Sequence, residues 1–309
     1  MVAMGISLSV AHNDAEPGGA KTGSARSVGG ARTDHTTHHP ASAAPNTAGF
    51  LRPGPDDLAT HWVERTRGLP PALTVVSGYV AAWAVLAASI IAIGLLLTKA
   101  VLSDGHGRWD ESINRWLAEH RIAFWNHVTS VATFMANTLP VIVLLVLVAA
   151  ALVLLHRWRE ALFLVGALGF ELAVFLVANA LVDRPRPNVP RLDSTPSTTS
   201  FPSGHVAATL ALWCGTALIV NGTVRNRVVR IVAWVVAVLV SLTVAFARTY
   251  RGMHHLTDVV VGALLGVGAL AASAVAVRVV IVVSERRRAH HPSATPDAPA
   301  AGPMLGVLP

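Results

Sequence analysis

Three short polar segments interrupt an otherwise apolar stretch of this chain, at residues 184–187, 201–205 and 248–258. Together they contain histidines, several arginines, one carboxylate and a Ser-Gly pair, and each lies where a long apolar run begins or ends. Arginine matches the oxygens of a phosphate group with its planar set of donors, and histidine can attack phosphorus or move a proton. These residue types therefore predict a site that holds a phosphate and attacks it.

The second segment predicts a helix start that can receive an anion. Ser203 and Gly204 stand at the start of an apolar run of helical length. The N-terminus of a helix offers unpaired N–H groups and the positive end of the helix dipole, and glycine leaves room for a phosphate to approach closely. A hydroxyl cap without any ligand would explain Ser203 on its own. His205, which follows directly, and the third segment favour the phosphate site.

The third segment places a histidine and a carboxylate where they can act together. His254 and Asp258 are four residues apart at the predicted start of the last helix, so we expect them to share one face. Asp258 would then accept a hydrogen bond from one ring nitrogen and leave the other nitrogen free to attack phosphorus. His255, three residues before Asp258, could in principle be held in the same way.

The composition indicates a membrane protein. Hydrophobic residues make up 53% of the 309-residue chain and charged residues only 13%, whereas soluble domains carry about 25% charged residues. The net charge of +7 comes mainly from arginines at the ends of apolar runs and in the tails, and this pattern argues against nucleic-acid binding. The single cysteine, Cys214, falls within an apolar run and excludes an intrachain disulfide.

The elements that must position these residues are six apolar runs. Residues 1–70 show no hydrophobic periodicity and predict a disordered tail, residues 71–285 predict a membrane domain, and residues 286–309 predict a second disordered tail. The runs have the length and composition of spanning helices and extend over roughly Leu73–Leu97, Pro140–Leu155, Ala161–Val182, Gly204–Val220, Ile231–Ala247 and Val259–Val283. The predicted fold class is all-α, a polytopic bundle of six transmembrane helices.

An amphipathic stretch lies between the first two runs. Its apolar side chains, which recur on one helical face, are Trp109, Ile113, Trp116 and Leu117. This pattern predicts either a helix in the membrane interface, with its tryptophans at the level of the lipid headgroups, or a helix that caps the bundle.

The arginines predict the orientation in the membrane. With six spans, the basic segments 156–159, 225–230 and 286–288 fall on one side, and basic residues favour the cytoplasm. Both termini are then cytoplasmic, and the three polar segments lie together on the extracytoplasmic side of the cell membrane. The arginines of those segments break the charge rule, which suggests that they are kept for a phosphate.

The polar segments resemble the signature of the type 2 phosphatidic acid phosphatase (PAP2) superfamily, which reads Lys-x6-Arg-Pro, Pro-Ser-Gly-His and Ser-Arg-x5-His-x3-Asp. The second element is complete at residues 202–205. The third is present from Arg248 to Asp258, with only its leading serine replaced, by Ala247. The resemblance covers the chain from about Asp110 to the end of the last apolar run.

The first element departs from the family pattern at its lysine. Arg186 and Pro187 fit the pattern, but Asn179 occupies the lysine position. Asparagine can still donate a neutral hydrogen bond to a phosphate, and Arg184 could supply the missing charge. On this interpretation a lysine at position 179 would be accepted and would tighten phosphate binding.

The resemblance implies a role for each matching residue. His254, which keeps the family spacing from both Arg248 and Asp258, would be the nucleophile and form a phosphohistidine, and His205 would protonate the leaving oxygen. The residues implied to bind the phosphate are Arg186, Ser203, Gly204 and Arg248. Arg184 and Arg251 are also open to a simpler interpretation as anchors in the membrane interface.

The sequence thus predicts an integral-membrane enzyme that hydrolyses a phosphomonoester or diphosphate of a lipid, such as a polyprenyl diphosphate, phosphatidic acid or phosphatidylglycerophosphate. The expected partners are this lipid and the bilayer. Two alternatives stay open: a lipid phosphotransferase and, because of Asn179, a non-catalytic lipid-binding or transport protein. No metal-ligand spacing and no nucleotide-binding fingerprint is present, so we expect no metal and no cofactor.

Overall fold

The computed structural model describes residues 47–101, 108–194 and 199–290, and this part of the chain is helical without any strand. A 3₁₀ turn covers Gly49–Leu51 and a π turn covers Leu97–Val101. The α-helices of the described ranges are α1 (Leu58–Arg65), α2 (Pro71–Leu96), α3 (Arg108–Glu119), α4 (Ala123–Met135), α5 (Thr138–Leu154), α6 (Trp158–Leu181), α7 (Gly204–Thr223), α8 (Arg227–Tyr250) and α9 (Leu256–His290).

Five of these helices are long and apolar enough to cross a membrane, namely α2, α6, α7, α8 and α9. The second predicted span, Pro140–Leu155, falls on α5, and α4 and α5 count as a sixth span if this pair, bent by 53°, is taken as one. The chain is therefore a multi-pass, all-α membrane protein, as its sequence predicts. Helix α4 was not predicted as part of a span, because polar residues among its apolar ones, such as Asn126 and His127, interrupt the apolar pattern.

Helix α9 is the centre of the bundle, with α2, α6 and α7 packed around it. It crosses α7 closely because Gly262 and Gly266 carry no side chain at the contact. A Cβ atom on Gly262 would lie 2.5 Å from the carbonyl oxygen of Ser203, and one on Gly266 would lie 2.8 Å from that of Ala207. Small residues four apart are a common means of close helix packing in membranes. The glycines thus bring the start of α7 against the start of α9.

The N-terminal boundary of the membrane domain differs from the prediction. Residues 47–70 were assigned to a disordered tail, but they fold against the bundle, with α1 packed on α9. The backbone N–H of Ala48 donates to the buried Glu160 carboxylate at 2.7 Å, and Arg278 donates to Asp57 at 2.7 Å. Charged groups at the ends of apolar helices need such partners, and this short segment provides them. Residues 1–46 of the predicted tail lie outside the described residues.

The C-terminal boundary is also shifted. Helix α9 continues to His290, so the first residues of the predicted tail 286–309 are helical. Residues 291–309 lie outside the described part of the chain. Arginines 286–288 favour the last turns of a helix because their positive charge complements the negative end of the helix dipole.

Candidate active site

The candidate site lies at the end of the bundle where α7 and α9 begin. His254 is buried in the turn between α8 and α9. Its backbone N–H donates to the carbonyl of Arg248 at 3.3 Å, and its own carbonyl accepts from the Asn114 amide at 3.1 Å. These two hydrogen bonds fix the backbone position of His254, the residue that the sequence predicts as the nucleophile.

The carbonyl of Ser200 determines which nitrogen of His254 carries the proton. Nδ1 of His254 lies 2.7 Å from this oxygen. A carbonyl oxygen can only accept a hydrogen bond, so Nδ1 must be the protonated nitrogen of a neutral ring. Nε2 then holds the lone pair, and no described residue occupies it with a hydrogen bond. The ring is prepared to act as a nucleophile through Nε2.

The surroundings keep this imidazole neutral. Burial lowers the pKa of His254 well below its ordinary value of 6.5, and the nearby positive charges of Arg248 and Arg186 lower it further. The hydrogen bond to Ser200 opposes this shift without reversing it. Two arginines near a neutral histidine are also the charge pattern that an incoming phosphate requires.

Asp258 does not hold the His254 ring as predicted. Among the described residues its carboxylate pairs with Arg184, accepts from the Ser200 hydroxyl and accepts from the backbone N–H of His255 at 2.9 Å. The prediction was wrong because it placed His254 inside the last helix. The helix begins at Leu256, so helical spacing does not apply to residue 254. Asp258 acts on His254 indirectly, through Ser200.

His255 faces two carboxylates instead of the phosphate-binding arginines. Its Nδ1 lies 3.2 Å from Asp258 and its Nε2 lies 3.2 Å from Glu111. With both ring nitrogens occupied in this way, His255 has no nitrogen left for attack. The structure therefore separates the two adjacent histidines into different environments.

Arg184 joins the first polar segment to the third and to α3. It is buried and forms ion pairs with Asp258 and, at 2.8 Å, with Asp110. Asp110 also accepts from the backbone N–H of Leu256 at 2.9 Å and so caps α9 from a different helix. Arg184 is neither an interfacial anchor nor free to replace the missing lysine, because both of its terminal nitrogens are held by carboxylates.

Arg251 is likewise buried and not an interfacial anchor. It pairs with Asp193 at 2.6 Å and donates to the carbonyl of Leu192 at 3.0 Å. Asp193 also pairs with Arg248 at 3.2 Å. One carboxylate thus holds two arginines and fixes the loop after the first segment against the end of α8.

Ser203 caps no N–H group with its side chain, although it occupies the N-cap position of α7. Its hydroxyl is buried and has no hydrogen-bond partner in the described structure, and the same is true of Nε of Arg248. Buried polar groups are normally paired. The unpaired Ser203 hydroxyl stands at the N-terminus of α7, where an anion can be received, and Arg248 lies in the last turn of α8. The phosphate-binding role of Ser203 and Arg248 stays a prediction.

Gly204 and Arg186, also predicted to bind phosphate, differ in their surroundings. A Cβ atom on Gly204 would lie 2.9 Å from the ring of Phe175, so the glycine admits this ring, which is a simpler reason for it than the approach of a phosphate. Arg186 donates from one terminal nitrogen to the carbonyl of Met253 at 2.7 Å. This contact holds its guanidinium beside His254.

His205 contacts the break between α4 and α5. Its Nε2 lies 3.1 Å from the side-chain oxygen of Asn137, the residue before α5. The irregular backbone at this break thus has a polar contact with the site, as is usual for non-helical segments at membrane depth. Asn137 carried no signal in the sequence because it matches no element of the family signature.

Asn179 does not face a phosphate. Its amide nitrogen donates to the hydroxyl of Thr199 at 2.8 Å and to the carbonyl of Phe201 at 3.0 Å. It therefore fixes the loop that carries Ser200 and Ser203. The expectation that Asn179 would bind the phosphate in place of lysine is not supported by this geometry.

The site combines the neutral imidazole of His254, a second histidine and arginines near the N-terminus of α7. Within residues 47–101, 108–194 and 199–290, no three His, Cys, Asp or Glu side chains are grouped so that they could hold a metal ion. The arrangement can bind an anion at the start of α7 and present it to Nε2 of His254.

Comparisons with known proteins show what this chain is similar to. Residues 160–281 match the family model of the PAP2 superfamily. Phosphatidylglycerophosphatase B of Bacillus subtilis (strain 168) is 27% identical over 180 residues, which cover 56% of this chain and 85% of that protein.

The fold also has a counterpart among solved structures. The crystal structure of the first transmembrane PAP2 type phosphatidylglycerolphosphate phosphatase from Bacillus subtilis superposes with a TM-score of 0.52 at 21% sequence identity. The match covers 65% of this chain and 96% of that chain. At this level of identity the likeness concerns the fold.

Proposed function

We propose that this chain is a phosphoric-ester hydrolase of the PAP2 superfamily, whose family model its residues 160–281 match, and that it removes a phosphate group from a membrane lipid through a phosphohistidine at His254. The single observation that carries the mechanism is the hydrogen bond of Nδ1 to the Ser200 carbonyl, which leaves the Nε2 lone pair available. The relative named phosphatidylglycerophosphatase B makes a lipid phosphomonoester the substrate class to test first.

In the first half of the reaction, Nε2 of His254 attacks phosphorus and the bond from phosphorus to the lipid oxygen breaks. Arg186, Arg248 and the Ser203 hydroxyl hold the phosphate oxygens, and they stabilise the charge that develops in the transition state. A protonated His205 gives its proton to the leaving oxygen, so the lipid departs as an alcohol.

In the second half, water attacks the phosphohistidine. His205, now neutral, takes a proton from the water as the bond from phosphorus to Nε2 breaks. Inorganic phosphate leaves and His254 returns to its neutral form. Asp258 touches no reacting atom in this scheme and acts as a positioning residue, since it holds the Ser200 segment and Arg184.

The proposed orientation places this site on the extracytoplasmic side. The basic segments 156–159 and 225–230 join helices at the other end of the bundle, and basic loops favour the cytoplasm. A substrate in the outer leaflet would present its headgroup at the level of the turn between α8 and α9.

The mechanism is tested by trapping the intermediate. Purified protein mixed briefly with ³²P-labelled phosphatidic acid should retain label that is lost in acid and survives base, as expected for a phosphoramidate. His254→Ala should abolish both the label and turnover. His120→Ala, which changes an exposed histidine directly after α3, is the matched control and should retain both.

Other results would contradict parts of the proposal. Label that persists in His254→Ala and disappears in His255→Ala would move the nucleophile by one residue. Label transferred to an added alcohol in preference to water would identify a phosphotransferase. Absence of turnover on every lipid phosphate, with correctly folded protein, would favour a binding protein.

His205 is tested with two substrates. His205→Ala should slow hydrolysis of a lipid phosphate by about two orders of magnitude or more, because an alkoxide is a poor leaving group without a proton. Hydrolysis of p-nitrophenyl phosphate should fall much less, since its leaving group needs no proton. An equal loss on both substrates would exclude the acid role.

A further inference from the structure

A cleft of about 740 Å³ lies at the end of the bundle away from the candidate site. It is formed by the end of α1, the segment before α2 and the last turns of α9. Asp258 and Arg286 mark the two ends of α9, and the 1.5 Å rise per residue places them about 40 Å apart. The residues that line the cleft are Val63, Thr66, Arg67, Leu69, Pro71, Thr74, Val283, Arg286 and Arg287.

The charge of this cleft is predominantly positive. Arg67, Arg286 and Arg287 line it, and no carboxylate does. The Glu64 carboxylate lies beside the cleft and pairs with two of these arginines, at 3.2 Å from the guanidinium of Arg67 and 3.6 Å from that of Arg286. Glu285, the neighbouring acid on α9, lies near Arg159 and Arg288 instead. Three arginines and one shared carboxylate leave an excess of positive charge facing the cleft.

The remaining lining is apolar and leads onto a surface that faces lipid. Leu69 and Pro71 form part of the cleft at the start of α2. Along α2, Leu73, Val76 and Val80 are exposed by more than half and follow one another at helical spacing. An acyl chain could therefore extend along α2 while its headgroup stays in the cleft. A soluble anion would gain nothing from this apolar surface.

We propose that this cleft binds the headgroup of an anionic phospholipid, with its phosphate among Arg67, Arg286 and Arg287. Basic pockets between transmembrane helices at the membrane surface are typical sites for such headgroups. The folded N-terminal segment is required, because α1 supplies one wall. The lipid would thus link residues 63–71 to the end of α9.

The binding is tested by photo-crosslinking in vesicles. Full-length protein is reconstituted in phosphatidylcholine vesicles that contain a trace of diazirine-labelled phosphatidylglycerol, a phosphodiester that lacks the phosphomonoester the proposed enzyme would hydrolyse. After irradiation, the labelled peptides are identified by mass spectrometry. We expect label on peptides that contain residues 63–74 or 283–287, and several-fold less label with diazirine-labelled phosphatidylcholine.

Variants locate the binding to the arginines. Arg67→Gln combined with Arg287→Gln should reduce the label on these peptides at least fivefold. Arg225→Gln combined with Arg227→Gln removes the same charge from exposed positions at the same end of the bundle and should leave the label unchanged. Both double variants are checked for an unchanged unfolding temperature.

Three outcomes would overturn the proposal. They are equal labelling by both lipids, an equal loss in the two double variants, or complete competition by millimolar inorganic phosphate, which would indicate a soluble anion. The result does not depend on the proposed hydrolysis, because the same measurement can be made with the His254→Ala protein.

Discussion

At the scale of single residues, a backbone carbonyl defines the state of the proposed nucleophile. Ser200 accepts from Nδ1 of His254, and burial together with Arg248 and Arg186 lowers the pKa of the ring. In the proposed mechanism the neutral imidazole is the form that attacks phosphorus. Protonation inactivates this imidazole, so the loss of activity that His254 causes on the acid side comes only as the pH falls through a pKa well below 6.5.

We therefore expect kcat/KM to stay nearly constant as the pH is lowered into the acidic range. If the nucleophile were a histidine with an ordinary pKa, kcat/KM would be about tenfold lower at about pH 5.5 than at pH 8. For this enzyme we expect kcat/KM to fall by less than about twofold over the same range. The measurement is a pH profile with a lipid phosphate, corrected for the second ionisation of the substrate near about pH 6. An inflection at or above 6.5 that remains after this correction would contradict the assignment.

A second prediction concerns Asn179, for which structure and sequence disagree. The sequence suggests that Asn179→Lys would be accepted, whereas the structure assigns the amide to Thr199 and Phe201. Lysine cannot reproduce both contacts with the same geometry, so we expect a shifted Ser200 loop, a loss of about 1–3 kcal/mol in stability and at least a tenfold loss of kcat/KM. Asn188→Lys, at an exposed position, is the control. Tighter vanadate binding by Asn179→Lys would instead support the sequence interpretation.

The candidate site residues that match the family signature could be predicted from the sequence. Their hydrogen-bond and ion-pair partners could not. Arg248 lies near enough to His254 for its charge to lower the pKa of the ring, and Ser203 stands at the start of α7. Asp110 and Ser200 were missed as parts of the site because a polar residue in a loop or an amphipathic helix has many possible partners, and sequence spacing does not select one. The signal available for Asp110 was its position on the polar face of α3.

At the scale of elements, α3 resolves the two interpretations of the amphipathic stretch. Its polar residues Asp110 and Asn114 are buried against the turn between α8 and α9, while Trp109 and Trp116 are exposed. The helix therefore caps the site with its polar side and leaves two of its tryptophans on the outside. The sequence pattern showed both faces but could not show which one faced the bundle.

The crossing of α7 and α9 yields a prediction at this scale. A methyl group at Gly262 would meet the Ser203 carbonyl at 2.5 Å, so Gly262→Ala must push the start of α7 away from Asp258. We expect a loss of about 1–3 kcal/mol in stability and a clear loss of activity. Gly169→Ala in α6 is the matched control, because its nearest neighbour, the hydroxyl of Tyr79, would lie at 3.6 Å. An unchanged unfolding temperature together with an unchanged rate of hydrolysis in Gly262→Ala would show that α7 and α9 can move apart without loss of stability or activity.

At the scale of the whole molecule, the order of the helices places the loops at alternate ends. The apolar runs were predictable from hydropathy. Apart from the missed helix α4, only the helix boundaries moved, because helices extend beyond the apolar run into flanking polar residues. The folded segment 47–70 was missed because its stability comes from contacts with Glu160 and Arg278. Its own short, polar sequence gives no such indication.

The proposed orientation predicts which loops a reagent can reach from outside. In a Cys214→Ser background, Asn188→Cys should react with an impermeant maleimide in intact cells, and Arg225→Cys should react only after the cells are opened. Both positions are exposed, so accessibility within the protein does not bias the comparison. Labelling of Arg225→Cys in intact cells would reverse the orientation.

The cap that Asp110 places on α9 has a consequence for how the chain is built. Asp110 is synthesised 146 residues before Leu256, whose backbone N–H it accepts. Its ion-pair partner Arg184 is also made before α9, so a nascent chain that still lacks this helix can already keep both charges paired. We expect the last helix to insert into a prepared acceptor, where its first turn and Asp258 complete the network. The helix whose first turn completes the site is thus synthesised after α1 to α8.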